Sequence, residues 1–104
     1  MNKQRRLRID NRKKLEEWSK LVRSRDGNKC IICPNTEKIN AHHIIPKQWK
    51  HLALNIDNGI SLCPSHHKYN TTISAHKNPL AFFIWMEKNR KDQLKKVREL
   101  YEGS

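Results

Sequence analysis

Two short stretches of this sequence decide how the chain folds: residues 30–33, Cys-Ile-Ile-Cys, and residues 63–66, Cys-Pro-Ser-His. Each stretch holds two metal-ligating side chains with two residues between them, a spacing that lets both side chains reach one tetrahedral ion. Together Cys30, Cys33, Cys63 and His66 form a Cys₃His set, which is typical of closed structural zinc sites. The sequence therefore predicts a structural Zn²⁺ ion that joins two distant segments.

Two other interpretations of these cysteines stay open: buried thiols that share this spacing by chance, and a redox pair of Cys30 with Cys33. A redox pair would belong to a βαβ context, which the surrounding pattern does not predict. Three cysteines cannot all pair within one chain, and the basic N-terminus is not followed by the apolar segment of a secretory signal. We therefore expect a reducing, cytoplasmic setting, in which clustered cysteines bind metal more often than they form disulfides.

The chain is short and strongly basic. Its 104 residues suffice for one domain with a thin core, which a structural metal would help to stabilise. No apolar run reaches the roughly 18–20 residues of a membrane span, so we expect no membrane partner. The formal net charge of +12 favours a polyanionic partner, with nucleic acid ahead of an anionic membrane surface.

We expect one domain over residues 1–104, made of a basic arm (1–14), a zinc-stabilised core (28–72) and a C-terminal helical region (78–103). The arm has two interpretations, a solvated tail and an arm that neutralises phosphates. The expected fold class is α+β. Periodicity and capping signals predict a helix over 12–24, strands over 39–45 and 59–62, a helix from Pro64 to Thr71, and one or two helices from Asn78 onward.

The histidines occur in two doublets, His42-His43 at the end of the first predicted strand and His66-His67 at the start of a predicted helix. Neighbours on a strand point to opposite faces, and neighbours on a helix lie about 100° apart, so each doublet should divide between two roles. Imidazole is both a common metal ligand and the side chain best suited to proton transfer near neutral pH.

The order of these elements resembles the HNH endonuclease family. The resemblance covers about Trp18 to Thr71, and more loosely residues 74–79, and implies a small ββα-metal (His-Me finger) core flanked by N- and C-terminal helices. The matching motifs are Cys30-x-x-Cys33, Ala41-His42-His43-Ile44 and Asp57-Asn58-Gly59-Ile60-x-Leu62-Cys63-x-x-His66-His67.

The resemblance implies metal-dependent hydrolysis of phosphodiester bonds in DNA. It makes His43 the general base and gives Asn58 the role of holding the loop that orients this base. It makes His42 and His67 ligands of a catalytic Mg²⁺ or Mn²⁺ ion. The family often adds a ligand one helical turn later, for which the candidates are Asn70 and Thr71. Asn70 is not at the commonest spacing, and threonine would be a poor replacement for histidine.

The resemblance also implies a nucleic-acid contact made to the backbone more than to base edges, which suits lysine and arginine. The candidate DNA-contacting residues are Arg5, Arg6, Arg8, Lys13, Lys14 and Lys68. For His76 we expect a structural role rather than a phosphate contact, and for His51 a surface position.

Two other functions remain open from the sequence. One is a zinc-stabilised nucleic-acid-binding module that does not cleave. The other is a nuclease subunit active only in a larger assembly, in which the apolar residues 82–86 would be a partner surface. The sequence leaves open whether the chain forms a homodimer or binds a partner protein, and whether it acts in a bacterium or as a phage protein in its host.

Overall fold

Helices and a two-stranded antiparallel sheet make up the computed structural model, which describes residues 3–103 and the side chains from Asp10 onward. The fold class is α+β, as predicted. The helices are α1 (Lys3–Arg25), α2 (Pro79–Asn89) and α3 (Lys91–Glu102), and the strands are β1 (Asn40–His43) and β2 (Gly59–Leu62). A 3₁₀ turn (Ile56–Asn58) precedes β2, and a five-residue π-helical turn (Ser65–Tyr69) follows it.

Helix α1 is longer than the predicted 12–24, because it begins at Lys3. Residues 3–14 of the predicted basic arm therefore belong to this helix, and their lysines, arginines and glutamine are good helix formers. Trp18 and Val22 are buried against the sheet, but Leu21 of the predicted apolar stripe is 53% exposed. The helix gives way to a turn in which Gly27 and Asn28 adopt positive φ angles of 76° and 56°.

The sheet pairs β1 with β2 so that Asn40 lies opposite Leu62 and His43 opposite Gly59. Strand β1 is shorter than the predicted 39–45 and ends at His43, where a loop of residues 44–58 begins. Helix α1 crosses the sheet at Gly59, and a Cβ atom there would lie 2.5 Å from the Trp18 ring. Glycine at this position therefore lets the helix approach the strand closely.

The predicted helix from Pro64 to Thr71 is only the single π turn, Ser65–Tyr69. Asn70 ends it with an extended conformation, and its side-chain oxygen accepts hydrogen bonds from the backbone N–H groups of Thr72 and Ile73. The chain then doubles back, because the backbone N–H groups of Ala75 and His76 donate to the carbonyl oxygens of His66 and His67.

The C-terminal region is two helices. Asn78 caps α2 by accepting from the Ala81 N–H at 3.2 Å, as the Asn-Pro signal predicted, and Arg90 leaves the helical conformation between α2 and α3. Phe82 and Met86 of α2 belong to the core, whereas Leu80, Phe83 and Ile84 are exposed. None of the helices in the described part of the chain combines the length and apolar character needed to cross a membrane.

A buried carboxylate ties the helices to the sheet. Asp26 accepts from Arg25 at 2.9 Å, from Arg90 at 2.8 Å and from the backbone N–H of Ser61 at 3.0 Å. Burial alone would raise the pKa of Asp26, but the hydrogen bonds from the two arginines outweigh it and lower that pKa. The ionised carboxylate thus joins the end of α1 to β2 and to the start of α3.

Candidate functional site

The structure brings the two predicted zinc half-sites together. Ligand atoms of Cys30, Cys33, Cys63 and His66 all lie within 4.8 Å of one another. The Sγ atoms of Cys33 and Cys63 are 3.8 Å apart, and Nδ1 of His66 is 3.3 Å from Sγ of Cys63 and 3.7 Å from Sγ of Cys30. The three cysteines are free thiols.

These distances match the corners of a tetrahedral site. With bonds of about 2.3 Å to sulfur and about 2.0 Å to nitrogen, two sulfurs on one zinc ion lie roughly 3.8 Å apart, and a sulfur and a nitrogen roughly 3.5 Å apart. A disulfide would instead need about 2.05 Å between two sulfurs. The Cys₃His cluster is therefore compatible with a structural zinc site.

The thiols of this cluster also show why it favours a cation. Burial, together with the neighbouring thiols of Cys63 and Cys30, raises the pKa of Cys33 to about 11. Several thiolates this close together repel one another unless a cation lies among them, and a coordinating thiol is deprotonated outright. Metal binding at this cluster must therefore release protons and weaken at low pH.

A second cluster of potential ligands joins three histidines from separate segments. His42 comes from β1, His67 from the π turn and His76 from the segment that doubles back, and their ligand atoms lie within 4.8 Å of one another. The Nε2 atoms of His67 and His76 are 3.1 Å apart. Two nitrogens bound to one ion at about 2.1 Å lie roughly 3.0–3.4 Å apart, depending on the bond angle. Without an ion, the same separation is a hydrogen bond between two neutral rings.

Two imidazoles of this cluster, those of His42 and His67, are held neutral. Burial and the nearby His67, His76 and His43 lower the pKa of His42 to about 3. Burial, His76 and Lys68 lower the pKa of His67 to about 4. Neutral imidazole is the form that binds metal. In addition, Nδ1 of His67 is a buried nitrogen without a hydrogen-bond partner in the described part of the chain, and an ion bound at Nδ1 in place of Nε2 would give it one.

Asn70, the expected third ligand, uses its side-chain oxygen in the turn that follows the π turn. The side-chain oxygen of Asn70 is the atom that would ligate, and it already accepts two backbone hydrogen bonds, at 2.8 Å and 3.0 Å. His76, for which we expected a structural role, is the third histidine with a potential ligand atom in this cluster. The sequence offered no spacing signal for His76, because the loop after the π turn brings it back to His67.

His43 faces a different environment from His42, as the alternation along a strand predicts. Its Nε2 lies 2.9 Å from the carbonyl oxygen of Ala53, and its ring stacks on Trp18 with centroids 3.8 Å apart and planes 9° apart. A carbonyl oxygen only accepts, so Nε2 carries the proton and the lone pair of the neutral ring is on Nδ1. Burial, with a smaller contribution from Lys47, lowers the pKa of His43 and favours this neutral form.

Asn58 is fully buried at the end of the loop of residues 44–58. Its side-chain oxygen accepts from the N–H of Ile45 at 2.6 Å, and its amide donates to the carbonyl oxygens of Ile45 at 3.1 Å and Leu52 at 3.3 Å. One side chain thus ties the start and the middle of this loop to its end. Ala53, which holds His43, lies within the loop.

The predicted DNA-contacting residues lie on two elements. The side chains of Arg5, Arg6 and Arg8 are outside the described residues. Lys13 and Lys14 are exposed on α1, and Lys68 is exposed on the π turn beside His67. Their contact with DNA stays a prediction.

No protein-family model, no curated protein and no solved structure matches the chain. The structure itself defines a small α+β domain in which a two-stranded sheet and helices position two clusters of metal-ligating side chains. One of them, the Cys₃His cluster, is compatible with structural zinc.

Proposed function

We propose that this chain is a metal-dependent DNA endonuclease of the HNH type, built on a ββα-metal core in which the π turn is the remaining part of the helix. The observation that carries the proposal is the division of the histidine doublet on β1. His42 meets His67 and His76, whereas its neighbour His43 is held separately by Ala53 and Trp18. A hydrolytic phosphodiesterase needs these two parts, a metal centre and a separate base.

His43 is the general base in this proposal. The Ala53 carbonyl holds the proton on Nε2, so Nδ1 can accept a proton from a water molecule as that water attacks phosphorus in line. The bond from phosphorus to the 3′ oxygen breaks and a solvent water molecule protonates this oxygen, which gives a 5′ phosphate and a 3′ hydroxyl, while His43 returns its proton to solvent. The lowered pKa of His43 keeps the ring in its basic form at neutral pH.

The catalytic ion would be held by His42, His67 and His76. A divalent cation there would stabilise negative charge on the phosphate and on the departing 3′ oxygen. Imidazole nitrogens suit Zn²⁺ and Ni²⁺ better than Mg²⁺ or Mn²⁺, which prefer oxygen ligands. The candidate catalytic ions are therefore Co²⁺, Ni²⁺ and Zn²⁺ in addition to Mg²⁺ and Mn²⁺.

The structural zinc ion would serve this centre indirectly. Its proposed ligand His66 is the neighbour of His67 on the π turn. The backbone carbonyl oxygens of both residues accept hydrogen bonds from the segment that carries His76. A zinc ion on the Cys₃His cluster would therefore fix the position of two ligands of the catalytic ion.

DNA is the substrate that the charge favours. The net charge is +12, and Lys13, Lys14 and Lys68 are exposed to meet phosphates. Contacts of this kind position a duplex without reading its sequence.

The test is cleavage of supercoiled plasmid by the zinc-loaded protein with Mg²⁺, Mn²⁺, Co²⁺, Ni²⁺ or Zn²⁺ added. His43→Ala should lower the cleavage rate about 10²–10⁴-fold, the usual contribution of a general base, and leave DNA binding unchanged. His51→Ala is the matched control, because His51 is an exposed histidine of the loop after β1. Cleavage by His43→Ala at the wild-type rate would refute the mechanism. DNA binding without cleavage by the wild type would favour the binding module.

A further inference from the structure

We propose that Trp18 of α1 is a positioning residue for His43, with its indole face holding the imidazole plane so that Nδ1 meets the attacking water. This role rests on the proposed function of His43 as the base. Trp18 lies in α1, a different element from His43 and from the proposed metal ligands.

The contact between the two rings is close and parallel. Their centroids are 3.8 Å apart and their planes differ by 9°. The histidines of the metal cluster meet one another differently, edge to face, with interplanar angles of 67–79°. A parallel stack covers one whole face of the His43 ring and leaves its edges free to bond.

The stack and the Ala53 carbonyl restrain different motions of His43. The torsion about the Cβ–Cγ bond of histidine is broad and roughly two-fold, so packing must decide the ring orientation. Small rotations about this bond would drive the ring edge into the indole. A half-turn would exchange the two sides of the ring and break the 2.9 Å hydrogen bond from Nε2 to Ala53. Together the two contacts define one direction for Nδ1.

Trp18 is itself immobilised by the structure around it. It is 4% exposed, and its Nε1–H donates to the carbonyl oxygen of Asn55 at 2.8 Å. Its six-membered ring lies against Gly59, where a Cβ atom would come within 2.5 Å. Asn55 and Ala53 belong to the same loop, which Asn58 pins. The indole face and the carbonyl that hold His43 are therefore fixed to each other.

Such precision matters because the attack on phosphorus needs an aligned base, and a misplacement of about 1 Å can lower a rate about 10²-fold. A residue that served only as core filling would need neither the hydrogen bond to Asn55 nor a ring parallel to the imidazole. Leucine would provide apolar volume there, and phenylalanine would provide a flat face without the N–H.

The test compares Trp18→Leu, Trp18→Phe and Val22→Ala in the full, zinc-loaded chain. Val22 is the matched control because it is fully buried on the same face of α1, one turn later, and also lies against Gly59. For each variant the measurements are kcat and KM for plasmid cleavage, the melting temperature, and the chemical shifts of the His43 ring protons. An indole face displaces these proton signals upfield.

We expect Trp18→Leu to lower kcat about 10²-fold at unchanged KM and to lose the upfield displacement. Trp18→Phe should keep most of kcat and part of the displacement. Val22→Ala should lower the melting temperature and leave kcat and the His43 signals as in the wild type.

Several results would overturn the role of Trp18. These are wild-type kcat in a folded Trp18→Leu variant, an equal loss of kcat in Val22→Ala, and His43 signals in the wild type that are not displaced upfield. If Trp18→Leu does not fold, the test rests on Trp18→Phe and on the His43 signals of the wild type. A Trp18→Phe variant that keeps its ring stacked on His43 but cleaves as slowly as His43→Ala would also contradict the role. Absence of cleavage by the wild type with every metal would instead refute the proposed function.

Discussion

Replacing Asn58 with alanine should destabilise the protein more than any exposed substitution of the same kind. The buried side chain makes three hydrogen bonds, with the N–H of Ile45 and the carbonyl oxygens of Ile45 and Leu52. Alanine would leave the N–H and the carbonyl oxygen of Ile45 without their partner, whereas the Leu52 carbonyl would keep the N–H of Asn55; each buried group left unsatisfied costs about 1–3 kcal/mol. Since water entering the space would satisfy part of this loss, we expect the free energy of unfolding to fall by about 2–4 kcal/mol.

That loss is a large fraction of the roughly 5–15 kcal/mol that stabilises a typical domain. Urea unfolding of the zinc-loaded protein, followed by circular dichroism, measures it as a lower midpoint at an unchanged m-value. Asn89→Ala is the control, because Asn89 is exposed and donates only one hydrogen bond, to the Trp85 carbonyl. Its effect should stay within about 0.5 kcal/mol.

Asn58 also connects stability to activity, because the loop that it pins carries Ala53. Under conditions in which Asn58→Ala is folded, kcat for DNA cleavage should fall while DNA binding persists. A loss of stability below about 1 kcal/mol would refute the account of the three hydrogen bonds. Unchanged kcat in the folded variant would refute the connection between this loop and His43.

Three further predictions concern packing, zinc and pH. Gly59→Ala places a Cβ atom 2.5 Å from Trp18 and should lower the free energy of unfolding, measured by thermal unfolding, by about 1–3 kcal/mol. Wild-type stability of this variant would contradict the close approach of α1 to β2, and Gly103→Ala, at an exposed position, is the control. Cys30→Ser should lose zinc in metal analysis and unfold in circular dichroism, since such sites contribute on the order of 10 kcal/mol; a folded, zinc-free variant would rule out a structural role for zinc. Burial lowers the pKa of His42 to about 3, so the unfolded state takes up the proton first as the pH falls below 6.5, and this residue should lower the free energy of unfolding by about 2 kcal/mol between pH 7 and 5. His67, whose pKa burial lowers to about 4, acts in the same direction. His42→Asn should make the pH dependence shallower by the share of His42, and an equally steep dependence in that variant would refute this contribution.

Local sequence signals predicted much of the architecture. The Asn78-Pro79 cap, the α+β class and the strand over 59–62 agree with the structure, because capping and strand patterns depend on near neighbours. The helix after β2 was predicted too long. The pattern of apolar and polar residues there is compatible with a longer helix. However, the Asn70 side-chain oxygen accepts hydrogen bonds from the N–H groups of Thr72 and Ile73, which competes with continuation of the helix.

Spacing along the sequence predicts each half-site of the Cys₃His cluster, because local backbone geometry brings together two ligands that are two residues apart, whereas the meeting of the two halves depends on the fold. The sequence by itself also determined that the two histidines of β1 point apart. Only the tertiary structure decided which groups surround each of them. His76 reaches His67 because the chain doubles back after Asn70, and Trp18 reaches His43 because α1 crosses the sheet at Gly59. Such contacts join residues distant in sequence, and they depend on how the elements pack rather than on any spacing along the chain.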